Sequence, residues 1–238
     1  MSMRRDWDDE AEHWIAWTRT GLDDSFFRFH GAHFFELVPP PGRLTLDLGA
    51  GEGRVARALR ARGHTVIEVD GSPRLAAASV ELGGRSMIAD AARLPLRPAI
   101  ADCAIAFMSF QDVDDYEAAI REAARVLEPG GRLVLAIVHP INSAGEFLPA
   151  GPGEHELDRA FMMYRSSYFE HRHYDDDVAR DGLPMRFSSE HRPIESYSRA
   201  LEAAGFVIEA IREVGDAEGK WTRMPLFLDV RAARRESR

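Results

Sequence analysis

The stretch at residues 44–59, LTLDLGAGEGRVARAL, constrains the fold more than any other part of the chain. Residues 44–48 are a short apolar run whose one acid is Asp47. Glycine then takes alternate positions, Gly49, Gly51 and Gly53, before Val55 and Leu59 set a helical spacing. A strand that runs through a glycine turn into a helix leaves the free N–H groups of the helix start beyond the strand end. Without side chains at those positions, a ligand can lie against the main chain.

Strand and helix patterns alternate from there on. Residues 54–62 read as a helix stopped by Gly63, and 65–69, TVIEV, as a β-branched strand. Ser72 suits an N-cap and Pro73 the first turn of a helix that Gly83 ends. Residues 85–89 form a weaker third strand, and 101–108, ADCAIAFM, a strongly apolar fourth. Asp114 or Asp115 caps a helix with Tyr116, Ile120, Ala123 and Leu127 on one stripe. The EPGG segment turns the chain into a fifth strand at 132–138. Residues 193–204 form a helix stopped by Gly205, followed by two last strands at 206–211 and 226–230; the tail RAARRESR is expected to fray.

Apolar strands alternating with helices indicate a parallel sheet covered on both faces. Ligands of such sheets bind beyond the carboxyl ends of the strands. Two regions fall outside the alternation. Residues 1–42 are helical and aromatic and end at the PPPG breaker, and residues 139–192 collect aromatics and histidines between glycines and prolines.

The 238 residues suit one domain with an elaboration. A formal charge of −9 argues against a broad nucleic-acid or anionic-membrane surface. Cys103 is the single cysteine, which removes intrachain disulfides and cysteine-based metal clusters, and its apolar neighbours make it a buried, inert thiol. The start, MSMRRDWDDEAEHW, lacks the apolar core of a signal peptide, and the chain has no run of about 18 apolar residues. The expectation is a cytoplasmic protein, monomeric or homodimeric, with no membrane and no nucleic-acid partner.

The glycine spacing departs from a dinucleotide fingerprint. G-x-G-x-x-G counted from Gly49 needs a glycine at position 54, where Arg54 stands. Asp47-x-Gly49-x-Gly51-x-Gly53 instead resembles the first motif of class I S-adenosylmethionine-dependent methyltransferases, of the small-molecule, methyltransferase domain 11-like type. VIEVDGSP is similar to that family's second strand, IADAARLPL to its third motif, DCAIAFMSFQDVDD to its fourth strand, and AARVLEPGGRLVLAIVHP to its helix, turn and fifth strand. The segment HRPIESYSRALEAAGF resembles the helix that follows.

The resemblance implies a Rossmann-like, doubly wound, seven-stranded and mostly parallel α/β sheet, with an N-terminal helical cap and an insertion after the fifth strand. It divides the chain into a cap at 1–42, a cofactor-binding core at 43–138, an acceptor-side insertion at 139–192, and a C-terminal helix with the last strands at 193–238. It implies S-adenosyl-L-methionine as cofactor and S-adenosyl-L-homocysteine as product. Asp47 would anchor the methionyl ammonium, Gly49, Ala50, Gly51 and Gly53 would form the turn, and Asp70, with Gly71 and Ser72, would hold the ribose hydroxyls. Asp90 and Ala91 would contact adenine, Phe107, Met108 and Ser109 would form a wall, and Trp17 and His30 would close the cofactor from above.

On the acceptor side, His139 stands at the end of the fifth strand as a candidate base, with Tyr168 and His191 as further catalytic candidates and His171, Tyr174 and Phe187 beside them. HRHYDDD at 171–177 carries histidines and carboxylates, but closely spaced residues of this kind are commoner on solvated loops than as ligands, and no metal is expected. An acidic chain with an aromatic insertion points to a small organic acceptor, methylated on O, N or C. A non-catalytic S-adenosylmethionine-binding regulator would carry the same cofactor motifs, and a nucleotide-cofactor oxidoreductase is the third reading.

Overall fold

The computed structural model describes residues 2–21, 25–31, 33–149, 151, 153, 155, 159–164 and 167–236. Its centre is a seven-stranded sheet. In chain order the strands are β1 (Thr45–Leu48), β2 (Val66–Asp70), β3 (Ser86–Ile88), β4 (Ala101–Phe107) and β5 (Leu127–Val138). Two short pairs follow, β6 (Gly145–Phe147) with β7 (Phe161–Met163) and β8 (Arg172–Arg180) with β9 (Leu183–His191), before β10 (Phe206–Val214) and β11 (Phe227–Arg234) complete the sheet. Its order is β10-β11-β5-β4-β1-β2-β3, and β11 runs antiparallel to both neighbours while β1 to β5 pair in parallel. The expected doubly wound, mostly parallel sheet is present.

Both faces of the sheet are buried, and the alternation within each strand shows how. On β4, Ala104 and Ala106 join the cluster under helices α6 (Tyr116–Val126) and α8 (Ile194–Ala203), with Ile120, Ala123 and Leu201. Cys103, Ile105 and Phe107 point to the opposite face, against Val55, Ala56 and Leu59 of α4 (Arg54–Ala61) and Phe34 and Leu37 of α3 (His33–Leu37). Successive strand residues face opposite sides, so a strand covered on both faces must be apolar throughout. Cys103 is part of this core, and burial pushes its thiol up to about 12.

The caps follow the residue chemistry. Ser72 Oγ accepts from the Leu75 N–H at the start of α5 (Pro73–Glu81), and the Asp115 side chain accepts from Ala118 at the start of α6. The EPGG segment is less of a break than expected. β5 begins at Leu127, and the turn survives as a slip in the ladder, where β4 passes from Leu127 to Arg132 as partner.

The first four residues of the C-terminal tail depart from the expected fraying; residues 237–238 lie outside the described residues. Arg231–Arg234 continue β11 between β5 and β10. Ala232 is fully buried, Arg231 Nε reaches Glu209 at 2.9 Å, and the Arg234 guanidinium donates to the Leu127 carbonyl. Arg231 alternates with buried Val230 and Ala232 on a strand held between two others, so 231–234 belong to the sheet rather than trail from it.

The insertion also holds more structure than its composition suggested. β8 and β9 are an antiparallel hairpin closed by Asp181 and Gly182, with φ of 48° and 80°. Its Phe187 ring packs edge-on against Trp7, Trp14 and Trp17, at centroid distances of 6.3, 6.1 and 5.8 Å. These tryptophans come from the N-terminal helices α1 (Met3–Asp9) and α2 (Ala11–Thr20), so the cap and the insertion meet over the carboxyl edge of the sheet. Among the described residues, no helix is long and apolar enough to cross a membrane.

A chain ending at Val230 would lose half of β11 and with it the pairs that residues 231–234 make with β5 and β10. Thermal unfolding is expected to show loss of the cooperative transition or a fall of more than about 5 °C, given roughly 2–4 °C per kcal/mol for a chain of this size. Unchanged melting would mean that 231–234 contribute no structure.

Candidate active site

Beyond the carboxyl ends of β1, β2 and β4 lies a cavity of about 1290 Å³, larger than the roughly 300–1,000 Å³ of a single small-ligand pocket. Asp47 reaches it from the end of β1. The carboxylate is 1% exposed, and neither oxygen has a hydrogen-bond partner among the described residues. Burial pushes its pKa up to about 8, and the nearby Glu68 and Asp70 push the same way; Arg60 and the Ala56 N–H, the latter outside hydrogen-bonding geometry, oppose them. A buried polar group without a partner is costly, and a cationic ligand group would complete it.

The glycine turn is explained partly by the protein itself. Gly49, Gly51 and Gly53 have φ of 76°, 59° and 83°, the left-handed region that other residues enter at a cost. A Cβ on Gly49 would collide with the Ser109 side chain, and one on Gly53 would come within 2.8 Å of Glu68 Oε2 and closer still to Ser79 Oγ. At Gly51 the nearest atom is Trp14 Nε1 at 3.3 Å. Gly49 and Gly51 line the cavity, whereas Gly53 faces away from it, into the buried Glu68–Ser79 contact.

Asp70 ends β2 with its carboxylate bridging two turns. Oδ2 accepts from the Gly51 N–H at 2.7 Å and Oδ1 from the Ser72 N–H at 2.8 Å. Burial raises its pKa and these two backbone bonds pull it back. Each oxygen keeps a lone pair for a further donor from the cavity. Asp90 forms no such bridge; its Oδ1 accepts from the Ala92 N–H at 2.8 Å, shaping the turn whose Ala91 lines the cavity. Phe107, Met108 and Ser109 form the wall after β4, with Met108 held at φ 52° and Ser109 Oγ donating to the Leu48 carbonyl at 2.7 Å. A non-glycine residue in that conformation stores strain of the kind found at functional sites.

The N-terminal cap is tied to this edge. Arg4 Nε donates to the Gly71 carbonyl at 2.9 Å, Ser72 Oγ to Asp8 Oδ1 at 2.5 Å, and the Met3 N–H to Asp114 Oδ1 at 3.0 Å. Trp17 lines the cavity as expected. His30 does not. It is fully buried behind Phe107, with Nδ1 3.0 Å from Asp229 Oδ1, and it packs on Phe34 and Phe227. It belongs to the core between cap and sheet.

The three catalytic candidates are also turned away from the cavity. His139 Nδ1 accepts from the Ile141 N–H at 3.1 Å, capping the short helix α7 (Pro140–Ser143), while Nε2 lies 3.2 Å from Glu213. His191 bridges Ser143 Oγ at 2.7 Å and the Tyr168 carbonyl at 2.9 Å. Tyr168 Oη accepts from the Ile194 N–H at 3.3 Å, and His171 meets Ser196 Oγ at 2.9 Å. These groups pin the insertion to α7 and α8; burial lowers the pKa of His139 and His191, which favours the neutral ring. Of the acceptor-side residues, Tyr174 and Phe187 line the cavity.

Several cavity residues had escaped the sequence reading. Arg54, in the first turn of α4, lies 5.0, 5.3 and 5.8 Å from the Trp14, Phe26 and Phe107 ring centroids, and burial lowers its pKa to about 9. Gln111 and Asp112 follow Ser109, and Arg172 and Asp176 come from β8. Arg54 was visible only as the residue that broke the dinucleotide spacing. Among the described residues, no group of three or more His, Cys, Asp or Glu side chains is placed to hold a metal.

Fold and edge chemistry together place a candidate ligand site at the carboxyl edge of a Rossmann-like sheet. Residues 46–135 match the family model described as methyltransferase domain. The chain is 36% identical over 124 residues to the ubiquinone/menaquinone biosynthesis C-methyltransferase UbiE of Caulobacter sp. strain K31, covering 45% of this chain and 49% of that one. It is 37% identical over 95 residues to the demethylmenaquinone methyltransferase of Mycobacterium marinum, covering 40% and 41%. The chain thus spans about half the length of the curated relatives it matches. A solved S-adenosylmethionine-dependent methyltransferase from Mesorhizobium loti shares the fold with a TM-score of 0.67 at 23% identity, over 84% of this chain and 95% of that one.

The buried carboxyl gives a stability signature. Asp47 holds a proton in the folded chain up to about pH 8, while the unfolded carboxyl loses it near 3.8. Between those values the folded state binds the extra proton, so stability falls as pH rises. Asp47→Asn is expected to flatten the decline in melting temperature of the ligand-free protein from pH 5 to 8 and to raise it at pH 8. An equally steep decline in the variant would show that Asp47 is not the group being strained.

Proposed function

We propose that this chain is an S-adenosylmethionine-dependent methyltransferase acting on a small organic acceptor. The observation that carries the reading is the unpartnered Asp47 carboxylate at the glycine turn, with the Arg54 guanidinium in the same cavity. A ligand bearing an ammonium and a carboxylate on one carbon would answer both, and the amino-acid end of S-adenosylmethionine is such a group. Asp47 would hold the ammonium and Arg54 the carboxylate; the ammonium favours the ionised Asp47 that burial opposes. Asp70 would accept from the ribose hydroxyls, Ala91 and the Asp90 turn would border the base, and Phe107 to Ser109 would form the wall beside it.

When bound, S-adenosylmethionine supplies a methyl carbon on a sulfonium, whose C–S bond breaks as an acceptor lone pair forms the new bond, leaving a neutral thioether. The chain's part is to orient the reactants and exclude water, a contribution that reaches several kcal/mol in well-aligned systems. The size of the cavity supports an enzyme over a non-catalytic binder, because space remains for an acceptor.

The division of labour follows: residues 1–42 close the site, 43–138 bind the cofactor, 139–192 supply acceptor-side walls, and 193–238 complete the sheet. The acidic net charge of −9 favours an acceptor other than a nucleic acid. The named activities of the relatives, C-methylation in quinone biosynthesis and demethylmenaquinone methylation, make carbon one candidate for the methylated atom, beside oxygen and nitrogen.

Calorimetric titration tests the reading. Wild-type protein should bind S-adenosylhomocysteine at micromolar concentration and show no binding of NAD. Asp70→Ala should weaken the former about 10- to 100-fold, as expected for lost hydrogen bonds to a charged group at about 1.5–3 kcal/mol. Binding of NAD, or no binding of S-adenosylhomocysteine by the wild type, would reject the proposal.

A further inference from the structure

After Ser109 the chain makes a tight helical turn, Phe110–Asp112, whose last two residues line the cavity. Arg192 holds this turn rigidly. Its Nη1 donates to the carbonyls of Phe110 and Gln111 at 3.3 and 3.2 Å, and its Nη2 to that of Val113 at 3.0 Å. The Arg192 side chain is itself buried, with its guanidinium 4.3 Å over the Tyr116 ring. The side chains of Gln111 and Asp112 therefore project from a fixed frame.

Gln111 and Asp112 both line the cavity, and their hydrogen bonds leave acceptor capacity on their oxygens. Ser189 Oγ donates to Asp112 Oδ1, and Gln111 Nε2 reaches Asp112 Oδ2 at a long 3.4 Å. Gln111 is 4% exposed, and its Oε1 has no hydrogen-bond partner among the described residues. Ser189 stands opposite Tyr174 in the β8–β9 register, and both line the cavity. Once Asp112 is ionised, its carboxylate and the Gln111 amide oxygen offer only acceptors, so they fit a ligand that brings its own donor.

We infer that Asp112 is a catalytic residue that takes a proton from the methyl acceptor, and that this acceptor carries an O–H or N–H group bound jointly by Asp112 and Gln111 Oε1. The inference rests on the methyltransferase reading and adds the acceptor's chemistry to it. In the step, the acceptor's O–H or N–H bond breaks and its electron pair stays on the acceptor. The proton forms an O–H bond on Asp112, which returns it to solvent. Ser189 is a positioning residue, fixing the rotamer of the carboxylate.

The electrostatics suit that role. Burial pushes the Asp112 carboxyl up to about 8, against the Ser189 hydrogen bond, the Arg192 charge and Gln111, which all lower it. A base titrating near neutral pH works efficiently in proton transfer. The other titratable groups that face it are Tyr174 from β8 and Tyr197 from α8; burial raises both hydroxyls, so they stay neutral while Asp112 ionises.

The test uses catechol as the O–H probe and benzylamine as the N–H probe, each titrated calorimetrically into the protein saturated with S-adenosylhomocysteine, from pH 6 to 8.5. Wild type should bind one of the two, with affinity rising through about pH 8. Asp112→Asn should weaken that probe at least about tenfold and remove the pH dependence, while Asp112→Glu should keep both and Ser189→Ala should lose several-fold. S-adenosylhomocysteine affinity should stay within about twofold in every variant, which also shows that each variant is folded. Binding of neither probe by the wild type, or unchanged probe binding and pH profile in Asp112→Asn, would overturn the inference. Loss of S-adenosylhomocysteine binding by the wild type would instead remove the reading beneath it.

Discussion

One buried carboxylate, Asp47, organises the site. It sits at the end of β1, 1% exposed and without a hydrogen-bond partner among the described residues, where the chain turns through three left-handed glycines into α4. A group in that position works against stability in the ligand-free chain and tells of a ligand that completes it. The neighbouring features fit that demand. Gly51 keeps a side chain out of the approach, Asp70 ties the Gly51 and Ser72 N–H groups together, and Arg54 places a cation in the same cavity. The parallel sheet supplies the rigidity, since strands covered on both faces bring β1, β2 and β4 to one edge with their ends in fixed relation.

Over that edge the fold adds a roof from two distant parts of the chain. The N-terminal helices are pinned by Arg4 to Gly71, Asp8 to Ser72 and Met3 to Asp114, and they meet the β8–β9 hairpin through Phe187 and three tryptophans. The core edge and the insertion are thus walls of one cavity. The last residues of the Phe110–Asp112 turn lie where the β4 wall passes to the insertion, which is why they border the cavity.

Much of the core was legible in the sequence because its physics is local. Continuous apolar strands, Ser72 and Asp115 as caps, and the glycine stops all depend on residues within a few positions of each other. The acid at each strand end also stayed where strand-end logic puts it. The reason for the glycines was only half visible. Gly49 and Gly53 yield space to Ser109, and to Ser79 and Glu68, contacts made by residues far along the chain.

The insertion shows the other limit. Asp181-Gly182 is a hairpin signal, but the polar run before it read as a solvated loop, because the outward face of an exposed hairpin is polar. His139, His191 and Tyr168 had the right chemistry for catalysis, yet their partners, Glu213, Ser143 and Ile194, decide that they brace the structure. Asp112 and Gln111 stood in the sequence only as part of the fourth-strand segment DCAIAFMSFQDVDD, with no role attached to either. Their significance comes from Ser189 and Arg192, about 80 positions away and brought near by the hairpin.

The most direct test of the account is the proton released when S-adenosylhomocysteine binds. Asp47, with a pKa of about 8, is largely protonated at pH 7 and must ionise to meet an ammonium. Calorimetry in buffers of different ionisation enthalpy should therefore find release of nearly one proton per ligand in the wild type and almost none in Asp47→Asn, which should also bind more weakly. Binding without proton release, or the same release in both proteins, would contradict the central role given to Asp47.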